Sequence, residues 1–87
     1  MANTRNNPGK RLRVTRWERG MSLRDVHRAS LRLAERLGNR KFILPPSRLH
    51  NIELKNSIPS IHRLYSLAHI YGRDVKELWG WYGIPRR

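Results

Sequence analysis

Apolar residues recur at intervals of three and four positions along most of this sequence, a spacing that is typical of amphipathic helices. No segment has the strict apolar–polar alternation of a half-buried strand. Capping residues, glycines and prolines divide the pattern into five segments. We therefore predict five helices: residues 10–19, 22–37 and 47–55, a fourth with Pro59 in its first turn that ends at Gly72, and a fifth that opens at Asp74.

The same spacing predicts which side of each helix faces the core. The residues predicted to point inward are Leu23, Val26, Ser30, Leu33, Ala34 and Leu37 on the second helix, Leu49 and Ile52 on the third, Ile61, Leu64, Tyr65, Ala68 and Tyr71 on the fourth, and Val75, Leu78 and Trp79 on the fifth. The connector GNRKFILPP (residues 38–46) separates the second and third helices. The predicted fold class is all-α, a compact five-helix bundle with an elongated second helix and a long connector.

A length of 87 residues fits one domain. We expect a flexible polar N-terminal tail over residues 1–9, a folded domain over residues 10–82 and a C-terminal tail over residues 83–87. The sequence has no cysteine, which excludes disulfides and thiolate-bound zinc and fits a reducing cytoplasm. No apolar run approaches the ~20 residues of a membrane span, so no membrane partner is expected.

The charge balance points to a polyanionic partner. Nineteen Lys and Arg residues against six Asp and Glu give a formal net charge of +13. An excess of this size indicates DNA, RNA or anionic lipid. Most of the basic residues are arginines, whose planar guanidinium suits phosphates and guanine edges. A generic solubilising surface is the alternative, and charge alone does not distinguish between polyanions.

The predicted third helix is short and polar on one side. Leu49 and Ile52 share one edge with Glu53, and that edge should face the core. The other face carries side chains suited to reading bases, because arginine can donate two hydrogen bonds to guanine and asparagine can pair with adenine. These residues are Ser47, Arg48, His50 and Asn51. An ordinary solvated face would have the same charge pattern, so the residues alone leave both interpretations open.

The run SRLHNIELKNSIPSIHRL (residues 47–64) resembles the recognition helix and following helix of phage-repressor-like (Cro/XRE-type) helix-turn-helix domains. The family pattern there is approximately S-x-x-L-x-x-I-E-x-G-x-x-x-P-S-x-x-x-L. The matching residues of this chain are Leu49, Ile52, Glu53, Pro59, Ser60 and Leu64. Residues 16–23 (RWERGMSL) are similar to the family's entry into its second helix, and residues 67–78 resemble its closing segment.

The resemblance implies a bundle that contains a helix-turn-helix, whose recognition helix, about residues 47–55, enters the major groove of double-stranded DNA. The residues implied to face bases are Ser47, Arg48 and Asn51, with His50 beside them. The residues implied to contact phosphates are Ser22 and Leu23 at the start of the second helix and Lys55 and Asn56 just beyond the third. A buried ion pair between Arg16 and Glu53 is also implied, and it fits because an unpaired buried carboxylate is costly.

These expectations favour sequence-specific binding of double-stranded DNA, as part of a cytoplasmic, nucleoid-associated transcriptional regulator. The alternative is a protein-interaction or assembly module on the same fold, which would use its basic face and an aromatic C-terminal interface. Trp81 and Tyr82 are candidates for that interface, and for a homodimer contact, because exposed aromatic side chains favour interfaces.

The connector departs from the family, in which the turn between the second and third helices is short. Val14, Trp17 and Met21 form a second apolar edge on and after the first helix, and we expect the elongated second helix with Phe42, Ile43 or Leu44 to cover it. Arg40 and Lys41 would then lie near the DNA backbone as additional phosphate contacts.

Other chemistry is poorly supported. The four histidines form neither an H-E-x-x-H motif nor a Cys/His cluster, so no metal site is expected. The sequence has no glycine-rich phosphate loop and no nucleophile elbow, and no pair of carboxylates is placed for a cleft. We therefore predict a protein that is not an enzyme and needs no cofactor.

Overall fold

The computed structural model of the protein describes residues 7–84, and this range contains five α-helices and no strand. The helices are α1 (Pro8–Glu18), α2 (Leu23–Leu37), α3 (Pro46–Leu54), α4 (Ile61–Tyr71) and α5 (Val75–Trp81), and a short 3-10 turn (Arg40–Phe42) lies between α2 and α3. The predicted all-α bundle, with its elongated second helix and long connector, is confirmed. Within residues 7–84 no helix has the length and apolar character needed to cross a membrane.

The first helix begins two residues earlier than predicted. Asn7 caps it, because the Asn7 side-chain oxygen accepts a hydrogen bond from the Lys10 N–H at 3.1 Å, and Pro8 suits the first helical turn. Residues 7–9 therefore belong to the folded part of the chain. The rest of the predicted N-terminal tail, residues 1–6, lies outside the described residues, as do residues 85–87 of the predicted C-terminal tail.

The starts of α3 and α4 also differ slightly from prediction. α3 begins at Pro46 and ends at Leu54, so that Lys55 is its C-cap rather than its last residue. At α4, Ser60 caps the helix, with its hydroxyl accepting a hydrogen bond from the Arg63 N–H at 3.2 Å. Pro59 lies just before the cap, not in the first turn, because a serine hydroxyl satisfies a free helical N–H and a proline cannot.

The core lies where α3 and α4 meet the other helices. α1 packs mainly on α3, α2 packs on α3, α4 and the connector, and α5 packs on α4 and α1. The buried apolar side chains are Leu12, Val26, Leu33, Ala34, Leu44, Leu49, Ile52, Leu64, Leu67, Ala68, Tyr71, Leu78 and Trp81. Burial of this apolar surface is the main favourable contribution to folding.

The inward face of α4 is rotated from the predicted one. Ile61 and Tyr65, which we expected in the core, are 68% and 41% exposed. Leu64, Ala68 and Tyr71 are buried as predicted, and Leu67, which was not predicted to face inward, joins them in the core. The predicted and the observed sets both have helical spacing, and packing against α2 and α5 selects the observed one.

The C-terminal aromatic residues also differ from expectation. Trp81, a candidate for an exposed interface, is buried, and the Arg11 guanidinium lies 4.9 Å from its ring centre. Tyr82 is half-buried, and burial raises the pKa of its phenol to about 12. Trp79, expected in the core, is only partly buried. Most of the aromatic surface assigned to a C-terminal interface therefore serves to hold α5 on the bundle.

The connector is fixed to α2 and α4 by polar contacts. The carbonyl oxygens of Phe42, Ile43 and Leu44 each lie within hydrogen-bonding distance of a helix side chain: the Ser66 hydroxyl at 2.6 Å, the Arg63 Nε at 3.0 Å and the His27 Nδ1 at 3.0 Å, respectively. The Leu44 N–H donates to the Ser30 hydroxyl at 2.8 Å, and the Leu44 side chain enters the core. Because a carbonyl only accepts, the proton must be on Nδ1 of His27. The His27 ring therefore helps to hold the connector in place.

The expected cover for the apolar edge of α1 is absent. Phe42 packs edge-on against His62 and Tyr65 of α4, with ring centres 5.0 and 5.6 Å apart. Trp17 is 58% exposed and carries the Arg13 guanidinium 5.0 Å from its ring centre. The prediction that the connector covers Val14 and Trp17 was wrong, because its three carbonyl contacts direct it to α2 and α4.

Candidate nucleic-acid interface

The third helix is held from one side and exposed on the other. Leu49 and Ile52 are fully buried, whereas Ser47, Arg48 and His50 are exposed. Asn51, one turn after Ser47, is half-buried. This division follows from the helical period, because residues 49 and 52 lie on one edge of the helix and residues 47, 48 and 51 lie on or beside the opposite one. The polar side chains singled out in the sequence are therefore placed for contact with a partner.

An ion pair fastens α3 to α1. The Arg16 Nε donates to one Glu53 carboxylate oxygen at 2.7 Å, and the Arg16 Nη2 donates to the other at 2.9 Å. Arg16 also donates from Nη1 to the Met21 carbonyl at 2.9 Å, and both side chains of the pair are buried. The hydrogen bonds to Glu53 raise the pKa of Arg16 above its usual value. The pair implied by the resemblance is present, and its two-point geometry fixes the rotation of α3 about its axis.

The buried ring of Tyr71 lies beside this pair. Burial, followed by the negative charge of Glu53, raises the pKa of Tyr71 above its usual value. The Tyr71 hydroxyl is buried and has no hydrogen-bond partner among the residues that the structure describes. The ion pair is therefore enclosed by buried side chains, and a less polar surrounding than water strengthens the attraction between the two charges.

The C-terminal end of α3 approaches the start of α1 closely. Asn56 has a positive φ of 54°, and its side-chain oxygen accepts a hydrogen bond from the Gly9 N–H at 3.2 Å. A Cβ on Gly9 would lie 2.5 Å from the Glu53 carbonyl oxygen, so only glycine fits this contact. The sequence assigned Asn56 to a phosphate, but its amide oxygen serves the α1–α3 contact. Only its NH₂ group can be offered to a partner.

A polar concavity of about 300 Å³ opens beside the N-terminal half of α3. It is lined by Ser47, Arg48, Asn51, Ile52, Ser57, Ile58, Pro59, Ser60 and Arg63. We call this surface the reading concavity. It brings together three of the four residues predicted to face bases, and His50 is exposed on α3 but does not line it.

Three polar residues of the reading concavity escaped the sequence analysis: Ser57, Ser60 and Arg63. The Arg63 Nε donates to the Ile43 carbonyl, so its guanidinium is held by the connector beside α3. A cap-forming serine followed three residues later by an arginine was visible in the sequence at Ser60 and Arg63. The sequence did not show that these two residues lie beside α3, because their position depends on how α4 and the connector pack.

The start of α2 is less suited to a phosphate than expected. Ser22 and Asp25 form a reciprocal capping box, with Ser22 N–H to Asp25 Oδ2 at 2.8 Å and Asp25 N–H to Ser22 Oγ at 3.1 Å. The Ser22 backbone N–H is the largest cause of the lowered pKa of Asp25, which therefore remains ionised. A phosphate approaching Ser22 or Leu23 would meet this partly exposed carboxylate. Of the predicted phosphate contacts, these two are the least favourable electrostatically.

The remaining predicted phosphate contacts are exposed but lie apart from the reading concavity. Lys55 is at the C-cap of α3. Arg40 and Lys41 are exposed on the 3-10 turn. The Asn39 side-chain oxygen caps this turn by accepting a hydrogen bond from the Lys41 N–H at 2.9 Å. None of the three lines the concavity, and their contact with DNA stays a prediction.

Over residues 7–84, no group of three or more His, Cys, Asp or Glu side chains could hold a metal ion.

A family model described as "Helix-turn-helix domain" matches residues 9–83. No curated protein and no solved structure shows significant similarity to the chain. The match covers α1 to α5 almost completely, including the lengthened α2 and the connector.

Proposed function

The chain belongs to the helix-turn-helix domain family, and we propose that it binds double-stranded DNA sequence-specifically, as all or part of a transcriptional regulator. One observation carries the proposal: Ser47, Arg48 and Asn51 come together in the reading concavity while the other edge of α3 is buried. Arginine and asparagine are the two side chains best able to identify guanine and adenine in the major groove. A binding function, and not catalysis, is what this set of side chains supports.

The basic surplus would supply the part of the affinity that does not depend on sequence. A net charge of +13 on 87 residues attracts the phosphate backbone of any duplex. Arg63, fixed by the Ile43 carbonyl at the edge of the reading concavity, is the best placed cation for a phosphate next to the bases. Arg40, Lys41 and Lys55 would add contacts further along the backbone. Such a protein would be found with the nucleoid.

The test is a selection of enriched sites from random duplex DNA, followed by binding measurements with variants. Arg48→Ala should relax the preference at one base pair, at a cost of about 1–3 kcal/mol for the preferred sequence. Arg32→Ala removes the same charge from the exposed side of α2, outside the concavity, and should weaken binding to all sequences alike. If the two variants behave identically, Arg48 does not read bases.

Salt dependence checks the phosphate contacts. The logarithm of the binding constant should fall with the logarithm of salt concentration, with a slope of about −0.9 per neutralised phosphate. The double variant Arg40→Ala/Lys41→Ala should make this slope shallower by about two without changing the selected site. An unchanged slope would remove the connector from the DNA contact.

The alternative function, a protein-interaction or assembly module, is favoured by a different observation. Several large apolar side chains around the start of α4 are exposed, among them Ile58 at 81%. A chain that selects no site, and whose weak DNA binding is insensitive to Arg48→Ala, would support this alternative over the first proposal.

A further inference from the structure

The outward side of α1 carries apolar side chains whose predicted cover, the connector, lies elsewhere. Val14 and Trp17 are 37% and 58% exposed. Lys10, Val14 and Trp17 follow one another at intervals of four and three residues, so they share the side of α1 that is opposite to the buried Leu12 and Arg16. Tryptophan is one of the side chains that most often dominate the binding energy of a protein interface.

A concavity of about 370 Å³ adjoins this side of α1, where α1 packs on α5. Val14 connects the two features, because it lines the concavity and lies next to Trp17 on the helix surface. The ring of Trp81 supplies a second apolar part of the lining. The volume is within the range of ligand-binding clefts, about 300–1,000 Å³. We call Trp17 and the residues that line this concavity the α1 surface.

Positive charge is concentrated in one part of the α1 surface. The guanidinium groups of Arg11 and Arg73 lie 4.9 and 5.9 Å from the centre of the same Trp81 ring, and Lys10 lines the concavity with them. Arg73 pairs with Glu77 at 2.6 Å, whereas neither Lys10 nor Arg11 has an ion-pair partner within residues 7–84. These two uncompensated cations attract a carboxylate, whose oxygens can accept two hydrogen bonds from an arginine.

The α1 surface also contains negative charge, which argues against a nucleic acid as its partner. Glu18 lines the concavity eight residues after Lys10, about 12 Å from it along the helix axis. A phosphate backbone carries one sign of charge and offers no apolar surface to Val14 and Trp17. A protein segment can present a carboxylate at one end, an uncharged or basic side chain at the other, and apolar side chains between them.

We propose that the α1 surface binds an acidic segment of a partner protein. A carboxylate of that segment enters the concavity and is received by Lys10 and Arg11, while a neighbouring apolar side chain packs on Val14 and Trp17. The Trp17 ring is held in advance by Arg13, whose guanidinium lies 5.0 Å from the ring centre. Binding therefore has to restrict this side chain less than it would a free one.

This contact is separate from the proposed contact with DNA. The α1 surface shares no residue with the reading concavity, so a partner bound to α1 leaves Ser47, Arg48 and Asn51 accessible. The inference does not depend on the proposed function, and it would hold for a chain that selects no DNA site. If both hold, one domain joins a duplex to a second protein.

A display library of random peptides of about a dozen residues, selected on the full chain, tests the proposal. We expect the selected peptides to carry Asp or Glu next to a large apolar residue. One selected peptide is then synthesised with a fluorescent label, and its dissociation constant is measured by anisotropy. Trp17→Ser and Arg11→Gln should each raise that constant about tenfold or more. Leu31→Ser and Arg32→Gln make the same changes at exposed positions of α2 outside the α1 surface and should leave it nearly unchanged.

Far-UV circular dichroism of each variant establishes that its helices are intact, and Lys10→Gln, at an exposed position, is a second charge variant if Arg11→Gln unfolds. Selected peptides without enrichment in acidic residues would overturn the proposal, as would a peptide that Arg32→Gln weakens as much as Arg11→Gln does. Loss of duplex DNA binding in Trp17→Ser, which removes no charge, would also overturn it, because the α1 surface would then be a nucleic-acid contact. The proposed function fails on a different result, the absence of a selected DNA site.

Discussion

The ion pair between α1 and α3 is the interaction on which the orientation of the reading concavity depends most directly. Glu53→Gln keeps the shape of the side chain but removes its charge. With Glu53 in place, the buried Arg16 guanidinium donates two charge-assisted hydrogen bonds, at 2.7 and 2.9 Å. In the variant the guanidinium stays buried but no longer faces a negative charge. Removing one member of a buried pair typically costs about 3–5 kcal/mol, because the other charge is left without compensation.

Such a loss is large for a domain of this size. Small domains have unfolding free energies of about 5–15 kcal/mol, so the variant should lose a substantial part of its stability. A change of 1 kcal/mol shifts the melting temperature by about 4–8 °C in a domain of 60–100 residues, which places the expected decrease at about 12 °C or more. Urea unfolding followed by far-UV circular dichroism measures the free energy directly, and the slope with urea should not change.

Glu35→Gln is the control, because it makes the same chemical change at an exposed position of α2. The double variant Arg16→Met/Glu53→Leu completes the test: replacing both charges with apolar side chains should recover much of the lost stability. The reasoning fails if Glu53→Gln costs no more than Glu35→Gln, or if the double variant is as unstable as the sum of its single variants.

Three further changes test the contacts that position α1, α2 and the connector. Gly9→Ala should destabilise the fold by about 1–3 kcal/mol, because its Cβ would press on the Glu53 and Ile52 carbonyls; a melting temperature equal to that of the wild type would contradict this close contact. Ser30→Ala leaves the buried Leu44 N–H without an acceptor, so we expect a loss of about 1–3 kcal/mol and faster hydrogen exchange at that amide, measured by NMR. The lowered pKa of Asp25 means that its capping contribution is present above its unfolded pKa of about 3.9 and is lost as pH falls through its lower folded pKa. The decrease in melting temperature caused by Asp25→Ala should therefore be full at pH 6 and should become smaller as the pH is lowered below about 3.9, and a decrease that does not change with pH would exclude the carboxylate as the cause.

Local patterns were sufficient to predict most of the secondary structure. The capping box at Ser22 and the left-handed glycine at residue 38 mark the two ends of α2, and both signals act within one turn of the helix. Leu49 and Ile52 could be assigned to the core because α3 has few other apolar residues. Where a helix offers a single apolar stripe, periodicity alone determines its orientation.

The inner face of α4 could not be predicted in this way. The helix is apolar around most of its circumference, and the stripe from Ile61 through Leu64 and Tyr65 is as regular as the one from Leu64 through Leu67. Tertiary packing decides between them, and it leaves Ile61 and Tyr65 exposed. Periodicity alone could not separate these exposed apolar side chains from those of the core.

The connector was equally beyond local inference. Its course depends on hydrogen bonds from Ser66, Arg63 and His27 to three consecutive carbonyls, across separations of 17 to 24 residues. A serine or a histidine inside a helix carries no local signal that it will receive a distant loop. The same contacts hold Arg63 beside α3, so the position of this candidate phosphate ligand is tied to the connector's position.

The distribution of acids explains why the basic surplus is available to a partner. Glu53 pairs with Arg16, Glu77 pairs with Arg73 at 2.6 Å, and Asp25 and Asp74 accept hydrogen bonds from helix-start N–H groups. Four of the six acidic side chains of the sequence are therefore engaged within the fold, and few remain to neutralise the exposed arginines and lysines. A bound polyanion would supply the missing negative charge, and its binding to the folded state would raise the stability of the fold by mass action. If the proposed function holds, any duplex should stabilise this chain at low salt, and discrimination between duplexes should come from the serine, asparagine and arginine side chains of the reading concavity.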